Sequence, residues 1–127
     1  MSASDHVNKD QSGYIFKDVL HDPSTNLRRL MRLQKGRDLP VAHVDYSTYK
    51  DDYGFDSDME DRLDVDYLKS HEEGKGHARA TMEELYKRYP KHFIDWGHTI
   101  SPASEHLAQD FEDRYYNRTA YQTDEDF

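Results

Sequence analysis

From Leu68 to Ala78 the chain reads Leu-Lys-Ser-His-Glu-Glu-Gly-Lys-Gly-His-Ala, a strand-like run that meets an amphipathic helix through a short loop holding Gly74 and Gly76. Glycines let a backbone come close to an anion, and the amides at a helix start point outward with the positive end of the macrodipole behind them. The chemistry that suits such a turn is the holding of a phosphate, and a diphosphate cofactor is its natural guest.

The elements around the loop follow from patterning. Beyond it Ala78, Met82, Leu85, Tyr86 and Tyr89 fall on one stripe of a helix, while Glu83, Glu84, Lys87 and Arg88 take the solvent side. Before it Leu63 to Leu68 alternates and predicts a strand. Gly13 to Leu20 is rich in strand formers and ends at the turn signal His21-Asp22-Pro23. Asn26 to Leu33 fits two patterns: Leu27, Leu30 and Met31 suit a helix capped by Ser24 or Thr25, and Leu27, Met31 and Leu33 suit an irregular strand. Leu39 to Tyr46 alternates from Val41 onward. The acids Asp51, Asp52, Asp56, Asp58, Glu60 and Asp61, with Gly54 among them, mark a solvated loop or hairpin tip. After Tyr89-Pro90, His92 to Ile100 reads as a strand. Ser101-Pro102 then starts a helix whose buried stripe is Ala103, Leu107, Ala108, Phe111 and Tyr115. Residues 1–12 read as a mobile leader and 117–127 as a polar, acidic tail.

A chain of 127 residues has room for one domain and one core. Its 35% hydrophobic content, counted without Gly, is low against about 45–50%, counted with Gly, in ordinary globular chains. The core is therefore thin, and ten Tyr and five Phe must supply much of it. A net charge of −9 opposes non-specific binding to nucleic acid or anionic membranes, which depends on clustered Lys and Arg; a basic or neutral partner fits better. Without cysteine there is neither a disulfide framework nor thiolate chemistry. No apolar segment resembles a signal peptide or a membrane span, so a cytoplasmic protein is the simplest expectation.

The segment Glu73-Gly74-Lys75-Gly76-His77-Ala78 resembles the acetyl-CoA loop of the GNAT acetyltransferase family, whose pattern is Arg or Gln, two residues, Gly, one residue, then Gly or Ala. Gly76 and Ala78 match the small positions; Glu73 departs from the Arg or Gln. The resemblance implies an α/β (α+β) fold over residues 13–116, with a mixed, mostly antiparallel central sheet and helices packed on it, and it favours a strand for 26–33. The pair of helices that the family places between its first two strands has no counterpart here. Carried over by position, the backbone of Leu68, Lys69 and Ser70 would meet the pantetheine arm and the amides from Gly74 to Ala78 the pyrophosphate. Lys75, His77 and Arg79 would add positive charge. The general base would be Asp64 or Asp66, which share a face of the preceding strand, or His43 on the strand before that. Alignment of the last helix from Ser101 puts Ala108 where the family has the Tyr that protonates the leaving thiolate.

Trp96 reads as core packing, with His98 and Thr99 as possible lining for an acceptor. Eight His and many Asp show no metal-binding spacing, so no metal is expected. A nuclease built on Asp64 or Asp66 with Glu73 and Lys75 is opposed by the acidic surface. Two functions result. One is an N-acyltransferase moving an acetyl or other acyl group from acetyl-CoA to a basic amine on a small molecule or protein. The other is an inactive relative acting as a structural or interaction protein, for example in a phage particle or other assembly.

Overall fold

A computed structural model describes residues 13–50, 61–72, 74–99 and 101–123. The expectations for the leader, for the acidic stretch from 51 to 60, for the last four residues and for Glu73 lie outside the described residues. The chain order is β1 (Tyr14–Asp22), β2 (Leu27–Gln34), β3 (Pro40–Lys50), β4 (Asp61–Ser70), α1 (His77–Arg88), β5 (His92–Thr99), α2 (Pro102–Arg114), a single 3-10 turn (Tyr116–Arg118) and β6 (Thr119–Thr123).

All six strands form one sheet in sequence order. The first four are antiparallel neighbours, and β5 and β6 join in parallel through the crossover helices α1 and α2. The fold is thus mixed α+β with a mostly antiparallel sheet. The 26–33 segment is a strand because it bonds to β1 on one side and β3 on the other. A helix there would leave both neighbours with unpaired main-chain groups.

Register sorts the side chains into two faces. Leu30 opposes Val44, and Leu63 lies beside Ile94, so these face the helices together with Tyr46 and Trp96. Met82, Leu85 and Tyr86 of α1 and Ala108 and Phe111 of α2 complete this core, and the Phe111 ring lies 5.1 Å from Tyr86 and 5.2 Å from Trp96. One polar node pins the layer: the Trp96 indole donates to the Tyr86 hydroxyl at 2.8 Å, which lies 2.7 Å from the Thr119 hydroxyl. The opposite face carries Arg29 and Asp45 in a two-pronged ion pair at 2.6 and 3.0 Å. Among the described residues no helix covers that face, and none is long and apolar enough to cross a membrane.

The sheet continues past residue 116, where the sequence places a tail. Arg118 fixes this last stretch by donating to the main-chain oxygens of Tyr86, Tyr89 and His92, and β6 then lies along β5.

Candidate functional site: a groove at a parted strand pair

Strands β4 and β5 pair only from Asp61 to Asp64 against His92 to Asp95. Beyond Asp64 they separate, and among the described residues Val65 to Ser70 pairs with β3 alone. Two local features produce the parting. A bulge at Asp66 places Val65 opposite Tyr46 and Tyr67 opposite Asp45, turning the strand. Gly97 takes a φ of 69°, and a Cβ there would meet the Val65 carbonyl oxygen at 3.4 Å. The left-handed conformation suits glycine, and the missing side chain lets β5 pass close to β4 where the two strands part.

The parted strands leave a groove of about 660 Å³ on the helix side of the sheet. One wall is β4 from Tyr67 to Ser70, whose outer edge is unpaired and presents main-chain donors and acceptors. The second is the glycine loop and the start of α1: Gly74, Gly76, His77, Ala78 and Arg79. The third is the start of α2, through Ser101, Ala103, Ser104, His106 and Leu107. The two helices are tied beside the groove by Arg79 to Asp110 at 2.6 Å and Arg114 to Glu83 at 3.5 Å. The Arg79 guanidinium holds the Asp110 carboxyl below its ordinary range.

The start of α1 is open to an anion. Gly74 and Gly76 both take a φ of 76°, and a Cβ at either would meet nothing within 4 Å. Gly76 is the N-cap, so no side chain caps the helix, and its first turn carries no acid. The first helical bond runs from the Ala80 amide to the Gly76 oxygen, which leaves the amides of His77, Ala78 and Arg79 without an acceptor inside the helix. Helix α2 differs: Ser101 and Ser104 form a capping box there. A diphosphate fits the first arrangement because its oxygens accept what the backbone offers and no side chain crowds the approach.

Of the residues carried over from the acetyl-CoA loop, Leu68, Lys69, Ser70, Gly74, Gly76, His77, Ala78 and Arg79 come together in this groove. Lys75 lies exposed between the two glycines and is not part of the lining. His77 brings its amide rather than its ring. The imidazole is 3% exposed, 5.1 Å from the Tyr14 ring, with Nδ1 taking a hydrogen bond from Arg32 Nε at 3.3 Å.

Asp64 and Asp66 line a separate cavity of about 260 Å³, with Ser47, Tyr49, Asp95 and Gly97. Asp64 pairs with Ser47 and Asp95, opposite in facing to Leu63 and Ile94, so this cavity opens on the helix-free face where the strands part. Asp64 is not free, since Arg62 reaches it at 2.9 Å. His43 is on the same face but four residues from Ser47 along β3, about 13 Å of extended chain. It is buried, with Nδ1 3.2 Å from Nε2 of His71, and burial followed by the nearby Arg29 pushes its imidazole below the ordinary histidine value. His43 and the aspartates therefore do not form one cluster.

Ala108 is fully buried in the core, so position 108 faces the sheet and not the groove. Trp96 packs in the core, and Thr99 is buried with its hydroxyl donating to the Gln122 oxygen. The α2 wall escaped the sequence reading, which gave that helix a buried stripe and the position of a missing catalytic Tyr but no part in a binding groove. Its signal was the Ser101-Pro102 start directly after β5, which sets the first turn of α2 beside the groove.

No protein-family model matches the chain, and no curated protein matches it in sequence.

Proposed function

We propose that the chain is a small GNAT-like N-acyltransferase that takes acetyl-CoA or a related acyl-CoA as donor and a basic amine as acceptor. The observation that carries this reading is the groove between an unpaired strand edge and an uncapped, glycine-led helix start. A CoA molecule has the matching chemistry in the matching order. Its diphosphate suits the amides of His77, Ala78 and Arg79, and the two amides of its pantetheine arm suit the free edge of β4.

The thioester then lies toward the point where β4 and β5 part, with the cavity of Asp64, Asp66 and Asp95 on the opposite face. A protonated amine is drawn to those carboxylates and gives up its proton to one of them or to water. Its lone pair attacks the thioester carbonyl carbon, the carbon–sulfur bond breaks, and the leaving thiolate takes up, directly or through water, the proton that the nitrogen releases as the amide forms. The protein's part is to hold two reactants in register, which can supply much of the rate enhancement. Glu72 and Glu73 are the acids nearest in sequence to the anion site, and the reading requires the Glu73 carboxylate to point away from the diphosphate.

Calorimetric titration with acetyl-CoA tests the proposal. Micromolar binding is expected, and an absence of heat at millimolar ligand would sink it.

A second reading, a structural or interaction protein in an assembly, is favoured by the helix-free face, where Ile15, Val19 and Tyr67 are 37%, 40% and 46% exposed. Its expected result is concentration-dependent association in the ultracentrifuge by a protein that ignores acetyl-CoA.

A further inference from the structure

Arg32 lies on β2 with its side chain directed at the helix layer, and it is only 2% exposed. Most described arginines answer a carboxylate: Arg28 meets Asp18, Arg29 meets Asp45, Arg62 meets Asp64, Arg79 meets Asp110, Arg88 meets Glu84 and Arg114 meets Glu83. Arg118 donates instead to three main-chain oxygens. Arg32 has neither arrangement. Its guanidinium carbon sits 4.2 Å from the centre of the Tyr14 ring and 5.4 Å from that of Phe16, its Nε donates to His77, and one terminal nitrogen is buried with no hydrogen-bond partner among the described residues. The charge of Glu83, exposed on α1, reaches Arg32 without touching it, and its carboxylate lies 3.5 Å from Arg114.

An arginine stays charged, and a buried charge without a counter-ion is costly. Two aromatic faces and one imidazole offset part of that cost. The contact with His77 shows where the rest of the field goes. Guanidinium only donates, so Nδ1 of His77 supplies the lone pair and the ring hydrogen is on Nε2, which lies 3.4 Å from the Glu72 carboxylate without hydrogen-bond alignment. His77 is also the first residue of α1, and its amide belongs to the anion-binding turn. The charge thus stands against the side chain of the first residue of the helix, near the helix's positive end.

We infer that Arg32 is a buried electrostatic determinant of the groove, its uncompensated charge adding to the α1 dipole so that a bound diphosphate serves as its counter-ion. This rests on the donor reading of the groove given above. It also gives the groove a cation that solvent cannot screen, at the site whose loop carries Glu72 and Glu73 where a positive or neutral residue would serve an anion better.

The test uses three ligands on the full chain: acetyl-CoA, inorganic pyrophosphate, and uncharged pantetheine. In Arg32→Met, acetyl-CoA and pyrophosphate bind about ten-fold more weakly, as expected for loss of one poorly screened charge near the anion. Pantetheine binds as in wild type, and the salt dependence of acetyl-CoA binding becomes shallower. A purely structural role for Arg32 predicts instead that Arg32→Met weakens pantetheine and acetyl-CoA alike, and that result overturns the inference. Equal acetyl-CoA affinity in wild type and Arg32→Met overturns it as well while leaving the donor reading intact, whereas a wild-type protein that binds no acetyl-CoA removes both. If Arg32→Met does not fold, the Nε–H resonance of Arg32 in the wild-type protein gives the answer. It shifts in proportion to pyrophosphate occupancy, and a resonance unmoved at saturation overturns the inference.

Discussion

Gly76 allows conformation and charge to be separated at the proposed anion site. Its φ of 76° lies in the left-handed region, and nothing lies within 4 Å of the position a Cβ would occupy. Gly76→Ala therefore meets no steric block, and its cost is that of the backbone conformation alone, about 1–2 kcal/mol. In a domain of this size that lowers Tm by about 4–10 °C. Gly76→Glu carries the same backbone cost and adds a carboxylate at the helix start. A unit charge about 4 Å from another is worth between about 1 kcal/mol in water and about 4 kcal/mol near a protein surface. Against the two charges of a diphosphate, even the lower figure weakens acetyl-CoA by about 30-fold relative to Gly76→Ala. Thermal melts and calorimetry on the pair measure the two effects independently. Equal Tm values for wild type and Gly76→Ala would refute the conformational argument. Equal acetyl-CoA affinity for the Ala and Glu variants would refute the placement of the diphosphate.

Three further outcomes follow from the packing. Tyr86→Phe removes the hydroxyl shared by Trp96 and Thr119, leaves two buried polar groups unanswered, and costs about 1–3 kcal/mol in urea unfolding; an unchanged midpoint would show that the node carries no stability. Phe111→Ala empties the space between the Tyr86 and Trp96 rings and costs about 3–5 kcal/mol by the same measurement, with a loss under about 1 kcal/mol counting against the core assignment. Burial holds the imidazoles of His43 and His92 below their ordinary value of 6.5, so the unfolded chain takes up more protons than the folded one as acid is added. Their contribution is therefore complete above pH ~6.5 and is lost as pH falls through the lowered folded values, and His43→Gln flattens the fall of Tm with acid. A variant with the wild-type slope would exclude His43 as a source.

Much of the fold was legible because each element repeats its pattern. Leu39 to Tyr46 and the α1 stripe state their periods plainly, and the glycine loop marks the junction between strand and helix. Three failures have physical causes. In Leu63 to Leu68 perfect alternation puts Leu63, Val65 and Tyr67 on one face, but the bulge at Asp66 leaves Tyr67 half-exposed on the other face and turns Leu68 inward. Bulges add a residue without altering the alphabet of a strand. In β2, Arg32 occupies a core-facing place that patterning assigns to an apolar residue, and only the overlying Tyr14, Phe16 and His77 explain how it is tolerated. In β6, Thr119-Ala120-Tyr121-Gln122-Thr123 is short and polar; its pairing with β5 is set by the crossover and by Arg118, neither of which a local window contains. Ala108 shows the limit of counting along a helix. Its number matched a catalytic position, whereas its phase, shared with Phe111, directs it into the core.

The parting of β4 from β5 is also a seam in the folding topology. On one side lie four strands, each paired to its predecessor across a short connection; on the other lie α1, β5, α2 and β6, which can reach the sheet only after a helix-length crossover. Sequence-local pairings close cheaply and distant ones pay loop entropy first, so the meander is the natural template and the parallel half docks onto it late. A ligand seated in the groove touches both halves at once. Such a ligand would clamp the interface between the two halves, stabilising the docked state by mass action in proportion to its occupancy. The groove walls are complete only once the crossover half has joined the meander, so any ligand of the groove requires both halves in place.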